Sequence, residues 1–216
     1  MNKVFAPLLA LLPLPALAHP HVFIDVGLDV ILNETGQLTH IRVTWAYDEY
    51  YSLLIAEDRS VDQDFDGQLT PEEEVILTGF DTNWMPGFEG DLVVLLDGQE
   101  LRMSGPSDPT ATMVEGRIIS SHLRDVVGQP ALAGTVLSIL PYDKTFYTAY
   151  EVAMPVTLSG SLPCLIEALP PDIEGELQRM QQQLLQIDEN ADLNENDYPY
   201  QGRAFATEVR LSCPVS

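Results

Sequence analysis

Apolar and polar residues alternate along the chain from His21 to Leu32, which is the period of a half-buried β-strand. The apolar set begins at Val22 and recurs at every second position, so it faces one side of the predicted strand. A polar turn at 33–36 separates this strand from a second segment, 38–46, which is predicted to be its hairpin partner. Shorter apolar segments predict further strands within 87–103 and at 118–124, 136–140, 147–157 and 204–211.

Helical spacing replaces the alternation in other regions. Residues 48–58 place apolar side chains on one side of a helix, and another helix is predicted to open at Thr70, where Pro71 follows. Near the end, 174–187 has apolar residues at three- and four-residue steps, which indicates either a core-facing stripe or a partner-binding helix. The Asp- and Asn-rich stretch 188–197 predicts a solvated loop.

Neither an internal repeat nor a flexible linker divides the chain. After removal of a leader, about 200 residues remain, which suffices for one sizeable domain. The predicted fold is α+β: a β-rich single domain over 19–216 with an EF-hand-like helix–loop–helix insertion at about 48–80 and a C-terminal amphipathic helix.

The leader is an export signal, predicted at residues 1–18. Lys3 supplies a positive start, residues 4–14 are almost all apolar, and Ala-Leu-Ala follows as the small-x-small pattern that signal peptidase reads. Cleavage after that pattern leaves His19 as the new amino terminus. No later stretch reaches the roughly 18 uncharged apolar residues of a membrane helix, so the mature chain is expected to be soluble, periplasmic and not inserted in the membrane.

The composition is strongly acidic, with 33 Asp and Glu residues against 10 Lys and Arg residues and a formal net charge of −23. Such a surface repels nucleic acid and anionic lipid and attracts cations, so nucleic acid is excluded as a partner and metal ions are favoured. A solvated acidic coat, as in proteins of salty habitats, explains the bulk of this charge equally well.

Two cysteines are present, Cys164 and Cys213. In an exported chain an isolated pair predicts a structural disulfide. A metal–thiolate pair is the alternative, although no nearby histidine or further cysteine completes a tetrahedral set.

The twelve residues 62–73 match the calcium-binding loop of an EF-hand at every constrained position. Calcium prefers about six to eight oxygen ligands, which alternate side chains of a tightly curved loop can supply. Gly67 permits the sharp turn. The predicted ligands are Asp62, Asp64, Asp66, the carbonyl of Gln68, Thr70 directly or through water, and both oxygens of Glu73.

Part of this segment has another explanation. Thr70 and Glu73, with Pro71 between them, also form a complete helix capping box, which needs no ion. A cap does not explain three alternating aspartates followed by glycine, because such carboxylates repel one another without a cation. A single loop without a paired loop predicts a structural calcium site of weak, extracellular-type affinity.

His19 and His21 form a second candidate metal site, at the new amino terminus. A terminal histidine can bind through its amine and its ring Nδ1, and a second imidazole two residues on completes three nitrogens, as in the histidine brace of copper proteins. Pro20 has no amide N–H, which excludes the square-planar amide-nitrogen site. Strand alternation places both histidines on the face of Asp25. The alternative is a frayed end that binds nothing.

The candidate cofactors are therefore calcium and a transition metal that suits neutral imidazole: zinc, nickel or copper. The two other histidines, His40 and His122, are each either a further ligand or a structural residue.

Several of these segments resemble the bacterial family called domain of unknown function 1007. The resemblance rests on His-Pro-His-Val-Phe-Ile-Asp at 19–25, Trp-Ala-Tyr-Asp-Glu-Tyr-Tyr-Ser at 45–52, the acidic loop, Tyr142-Asp143 followed by Phe146-Tyr147, and a late cysteine. It covers essentially the whole mature chain but departs from the pattern at the acidic stretch 188–197. The resemblance implies a periplasmic protein, often encoded beside nickel/cobalt- or zinc-type transport components.

The leading functional hypothesis is a periplasmic accessory protein that binds nickel, cobalt, zinc or copper at His19 and His21 and serves a membrane metal transporter. One alternative is a copper-dependent redox enzyme that uses the histidine brace, although no Ser/His/Asp or Cys/His constellation is visible and no catalytic residue is predicted. The other alternative is a calcium-stiffened interaction module.

Overall fold

Eleven β-strands and three α-helices form the part of the chain that the structure, a computed structural model, describes: residues 20–186 and 202–215. The strands are β1 (Val22–Leu32), β2 (Leu38–Tyr47), β3 (Leu92–Leu96), β4 (Gln99–Glu100), β5 (Ser107–Val114), β6 (Arg117–Asp125), β7 (Val136–Pro141), β8 (Thr148–Glu151), β9 (Val156–Ser159), β10 (Leu165–Leu169) and β11 (Glu208–Ser212). The helices are α1 (Glu49–Arg59), α2 (Pro71–Leu77) and α3 (Ile173–Leu184), with a short 3-10 helix at Gly202–Phe205.

The first sheet is built around β1. Its order is β5-β6-β2-β1-β8, and β9 also pairs with β1. β1, β2, β6 and β5 form an antiparallel series, whereas β8 and β9 lie parallel to β1 at successive positions along it. The second sheet has the order β10-β11-β7-β3-β4 and is antiparallel throughout.

The core lies where the apolar faces of both sheets meet. Every second residue of β1, from Val22 to Leu32, is buried, as the alternation predicts. These residues belong to one buried cluster that also contains Val94 of β3, Ile139 of β7 and Leu211 of β11. The predicted hairpin of β1 and β2 and the β-rich α+β class are therefore confirmed.

The predicted strands differ from the structure in three places. The segment predicted as one strand over 147–157 is two short strands, β8 and β9, with Pro155 between them; a proline has no N–H to continue a ladder. β5 was not predicted; it contains Pro109 and is an edge strand, where proline is tolerated. β10 was not predicted either, and it too lies at the edge of its sheet.

The C-terminal helix is present as α3, but its apolar stripe does not face the core. None of its described side chains is buried, and Ile173 and Leu177 are 45% and 44% exposed. α3 follows the edge strand β10 and packs against the 3-10 helix, because the two sheets already cover each other's apolar faces. The core-facing interpretation was therefore wrong. Ile187 and the acidic stretch 188–197 lie outside the described residues.

A disulfide joins Cys164, just before β10, to Cys213, just after β11. The predicted pairing is thereby confirmed, and a disulfide is consistent with an exported protein. Within residues 20–186 and 202–215, no helix is long and apolar enough to cross a bilayer. The predicted signal at 1–18 lies outside the described residues.

Candidate metal centres

The loop predicted to bind calcium lies between α1 and α2 and is fixed at both ends. α1 ends at Arg59, and Ser60 follows in a left-handed conformation (φ 57°), with its N–H donating to the last turn of the helix. At the other end, Thr70 is the N-cap of α2, and its hydroxyl accepts the N–H of Glu73. The intervening residues are thus held between two helix ends.

Within this loop three aspartate side chains converge. Asp62, Asp64 and Asp66 each offer a carboxylate oxygen, and these oxygens all lie within 4.8 Å of one another. One oxygen of Asp62 accepts the N–H groups of Asp66 (3.0 Å) and Gly67 (3.2 Å), which curls the chain around it. Gly67 has φ +74°, a conformation that residues with a side chain disfavour, so the predicted need for glycine at this turn is met.

Glu73 occupies a different position from the three aspartates. Its Oε1 accepts the N–H of Asp62 (2.9 Å), and its Oε2 accepts the N–H (2.8 Å) and the hydroxyl (2.9 Å) of Thr70. The bonds from Thr70, backbone first, lower the pKa of this carboxyl. The capping box is therefore present, and Glu73 ties the start of the loop to α2. Its role as a calcium ligand stays a prediction, as do those of Thr70 and of Gln68, whose N–H donates to Asp66 (2.9 Å).

The loop rests on the hairpin between β5 and β6. The carbonyl of Gly67 accepts the N–H of Gly116 (3.2 Å), and a Cβ at Gly67 would stand 3.1 Å from that nitrogen. Thr112 of β5 donates to Glu74 of α2 (2.8 Å). The hairpin of the first sheet therefore supports this loop through direct hydrogen bonds.

The positions of the three aspartate carboxylates fit a calcium ion. Calcium–oxygen bonds of about 2.3–2.6 Å place any two ligand atoms at most about 5 Å apart, and the three carboxylates satisfy this limit. They are hard oxygen donors, which calcium prefers to softer ligands.

The second candidate centre lies where β1 begins. His19 is outside the described residues. The N–H of His21 donates to the carbonyl of Tyr147 (2.8 Å), and the two side-chain rings lie 4.9 Å apart between centroids. Two residues on, the N–H of Phe23 donates to Asp48 (2.9 Å), the N-cap of α1. His21 thus directly precedes a strand that is fixed by hydrogen bonds at its start, and its own amide N–H is already engaged.

Asp25 follows on the predicted face of β1, but its carboxylate is engaged elsewhere. It forms an ion pair with Arg117 of β6 (2.8 Å), and Arg117 also donates to the carbonyls of Ala46 and Tyr47 at the end of β2. The side chain of Arg117 therefore links β1, β2 and β6.

A comparison with protein-family models shows which family the chain belongs to. The model described as Protein of unknown function (DUF1007) matches residues 4–213, nearly the whole chain. The chain belongs to this family. No curated protein matches it. Membership confirms the resemblance read from the histidine, tryptophan–tyrosine and acidic-loop segments.

The remaining histidines of this DUF1007 chain lie away from His21. His40 is opposite Ile31, at the far end of β1, about 30 Å away along the strand, and it pairs with Asp125 (3.2 Å). His122 is only 1% exposed, between the rings of Trp45 and Trp84. Neither is brought to the amino-terminal centre.

His122 is buried without a partner for one ring nitrogen. Its Nε2 has no hydrogen-bond partner among the described residues. Burial, with smaller effects from Arg124 and Arg42, lowers the pKa of its imidazole to about 4. The side chain is therefore neutral near pH 7 and belongs to the interior of this DUF1007 protein.

Sequence patterns missed an interior set of tyrosine–carboxylate pairs. Asp81 accepts the hydroxyls of Tyr47 (2.9 Å) and Ser120 (2.5 Å), and Asp91 accepts that of Tyr150 (2.9 Å). Burial raises the pKa of Asp91 to about 6 despite this bond, and burial also raises the pKa of both tyrosines. The available signal was a lone aspartate directly before the apolar run of β3.

Proposed function

We propose that this protein is an exported, periplasmic metal-binding accessory protein of a transition-metal transport system. A calcium ion in an EF-hand-like loop, 62–73, holds the fold, and the mature amino terminus binds nickel, cobalt, zinc or copper for a membrane transporter. The observation that carries the proposal is the convergence of three aspartate carboxylates in a loop fixed at both ends.

The EF-hand-like character of the loop is supported by its contacts. Asp62 accepts N–H groups from within the loop, Gly67 has the positive φ that the turn needs, and helices flank both ends. Three aspartates supply fewer than the roughly six oxygens that calcium takes. Ligation by Glu73 therefore requires its carboxylate to leave the cap of α2, and the carbonyl of Gln68 and Thr70 supply the rest.

The transition-metal centre is supported by the placement of His21. The amide N–H of His21 donates to Tyr147, directly before β8, and Pro20 has no amide N–H, so metal binding through amide nitrogen is disfavoured and the proposed ligands are ring nitrogens and the terminal amine. These donors suit zinc, nickel and copper. The acidic surface raises the local concentration of cations of either kind.

The deciding experiment is metal analysis of protein exported to a bacterial periplasm. Intact mass should show a chain that begins at His19. After removal of bound metal, titration with Zn²⁺, Ni²⁺ and Cu²⁺ should show one equivalent bound, and His21→Ala should lose it. His40→Ala is the matched control, since His40 lies at the other end of the sheet. A chain expressed in the cytoplasm with Met1 retained should bind far more weakly, because His19 is then internal and its nitrogen lies in a peptide bond.

Two outcomes would refute the transition-metal part of the proposal. One is a mature chain that begins elsewhere than His19. The other is a correctly processed protein that binds no transition metal in stoichiometric amount.

A further inference from the structure

We propose that the cover segment, residues 79–91 between α2 and β3, closes over the side chain of His122, and that protonation of His122 opens it. The proposal goes beyond the proposed function and requires no metal ion. It gives the folded protein a local change of conformation on acidification, distinct from unfolding.

The buried face of β6 carries three polar residues in a row. Ser120, His122 and Arg124 occupy alternate positions of the strand and are only 1%, 1% and 2% exposed. Serine and arginine are mostly exposed in folded proteins, so such a row is unusual on a strand face that packs against a core. It is this row that the cover segment shields from water.

The cover segment contacts every member of the row. Asp81 accepts the hydroxyl of the serine at 2.5 Å. The ring of Trp84 lies 5.4 Å from the imidazole ring between centroids, and the guanidinium carbon of the arginine lies 4.8 Å from the centroid of the same indole. The carbonyl of Glu89 accepts an N–H of that guanidinium at 3.0 Å. One continuous segment therefore closes the whole row.

His122 itself is enclosed by two indole rings. Trp45 of β2 lies edge-on to the imidazole at 4.8 Å, and Trp84 lies on it at a right angle. Within the described residues the Nε2 atom has no hydrogen-bond partner. Trp45 belongs to a central strand that is paired on both sides, whereas Trp84 belongs to a connection. Water can therefore reach the imidazole without disruption of the sheet if Trp84 moves away.

Protonation of His122 is unfavourable while the cover segment is closed. Burial of the ring is the main cause that lowers the pKa of the imidazole to about 4, followed by the positive charges of Arg124 on the same strand and Arg42 on β2. An imidazolium donates from both ring nitrogens, and Nε2 meets no acceptor among the described residues. Contact with water removes these penalties, so a proton binds the open form more tightly and shifts the equilibrium towards it.

The carboxylates near His122 are engaged with other groups. On the cover segment, Asp81 accepts two hydroxyls and the charge of Glu89 acts on the arginine of the row. On β5, Asp108 pairs with Arg42. Asp91, where the segment meets β3, accepts a tyrosine hydroxyl. Burial raises the pKa of Asp91 to about 6, so its protonation favours the closed form and does not drive the opening.

Glycines mark both ends of the cover segment. Gly79 and Gly90 have φ +80° and +72°, and a Cβ added at Gly90 would clash with the indole of Trp84. Gly87, with φ +90°, lies between them and has open space around it. Glycine accepts large changes in φ and ψ at low cost, which suits the hinges of a moving segment.

Acidification should favour the open form in a defined pH range. The imidazole has its ordinary pKa of 6.5 when water reaches it and a pKa of about 4 in the closed form. The ratio of open to closed molecules therefore rises as pH falls from 6.5 to 4 and levels off outside that range. Because each pKa unit is a factor of ten in an equilibrium constant, the total rise is at most roughly 300-fold.

The first test is hydrogen exchange of the full mature chain, which detects opening even when the open form is rare. After correction for the intrinsic pH dependence of exchange, protection of residues 79–91 should fall roughly 50-fold between pH 7 and pH 4.5. His122→Gln should show no such fall. His40→Gln is the matched control, a histidine of β2 that pairs with the exposed Asp125, and should behave like the wild type.

The amides of β1 are the reference for unfolding of the whole domain. They should stay more protected than the cover segment at every pH. Equal protection of β1 and the cover segment would mean that the domain opens as a whole, and this result would overturn the proposal. So would a wild type whose cover segment keeps its protection at pH 4.5.

The second test removes the ring that closes the site. In Trp84→Ala, an NMR titration should show the pKa of His122 rising from about 4 towards 6.5, because water reaches the imidazole. Met85→Ala, at the neighbouring residue that is 78% exposed, should keep the low pKa. Thermal unfolding establishes that both variants are folded. An imidazole that keeps its low pKa in Trp84→Ala would overturn the role of the cover segment.

Discussion

Two titratable side chains, the half-buried Asp91 and the buried His122, respond to pH in opposite directions. The pKa of Asp91 is raised in the folded protein to about 6, so its contribution to stability is greatest below about pH 4 and falls as pH rises to 6. The pKa of His122 is lowered to about 4, so its contribution is greatest above about pH 6.5 and falls on acidification. Each pKa shift corresponds to a change of roughly 3 kcal/mol at most in the free energy of unfolding. The two effects therefore largely cancel between pH 4 and 6.5.

Removing one of these side chains should expose the effect of the other. We expect Asp91→Asn to lose up to roughly 3 kcal/mol more stability than the wild type on acidification from pH 7 to pH 4, because only His122 then titrates. We expect His122→Gln to gain stability relative to the wild type over the same acidification, because only Asp91 then titrates. Urea unfolding at several pH values measures both differences, and Asp58→Asn, at an exposed site, is the control. Parallel pH profiles for all four proteins would contradict the prediction.

A second residue-scale prediction concerns the aspartate loop. Asp64→Ala should lower the midpoint of thermal unfolding in millimolar calcium, because one of three converging carboxylates is lost. In a chelator the variant should match the wild type or exceed it, because charge repulsion between the carboxylates is relieved. Asp58→Ala, outside the loop, should behave like the wild type in both conditions. Equal losses with calcium and with chelator would exclude calcium from this loop.

The site residues that the sequence predicted are local in the chain. Asp62, Asp64 and Asp66 lie within one loop, so their spacing alone places them together. Asp81 and Asp91 were missed because their hydroxyl partners are 34 to 59 residues distant in sequence. No spacing rule connects such residues before the sheets are assembled.

At the scale of elements, Asp48 joins the start of α1 to the start of β1. One carboxylate oxygen accepts the N–H of Tyr51 (2.8 Å) as the helix cap, and the other accepts the N–H of Phe23 (2.9 Å). We expect Asp48→Ala to cost about 1–2 kcal/mol as a lost cap and to increase amide exchange at Phe23.

Asp172→Ala is the matched comparison for this prediction. Asp172 is the N-cap of α3 and accepts the N–H of Gly175 (3.1 Å), a bond within its own helix and not to β1. Its loss should cost a similar cap energy without faster exchange at Phe23. If hydrogen exchange at Phe23 is the same in both variants, Asp48 does not hold the amino-terminal strand.

The elements that were predicted correctly from the sequence are those with a long, regular alternation of apolar and polar residues. β1 buries alternate residues along its whole length, so its pattern is unambiguous. β5 and β10 lie at sheet edges, where only part of each strand is covered, and their patterns are correspondingly weak. The helix pattern of α3 predicted its conformation correctly but not its partner, since amphipathicity does not specify what covers the apolar side.

At the scale of the whole molecule, the disulfide closes a loop of about 49 residues. In the chain-entropy model such a crosslink stabilises the folded state by about 4 kcal/mol. We expect the double variant Cys164→Ser and Cys213→Ser to lose stability of this order in urea unfolding. Wild-type protein in a strong reductant should match it. A reduced wild type that unfolds at the same urea concentration as the oxidised protein would contradict the prediction.

The parallel pairing of β1 with β8 has a consequence for the order in which the first sheet can form on the proposed export of the chain. A chain exported amino end first releases β1 at the outset, yet the residues that complete its ladder, Thr148 onward, emerge only after most of the polypeptide has crossed. Until then the leading segment has β2 as its neighbour on one side and solvent on the other. If the chain is exported as proposed, the first sheet is therefore completed only late in translocation.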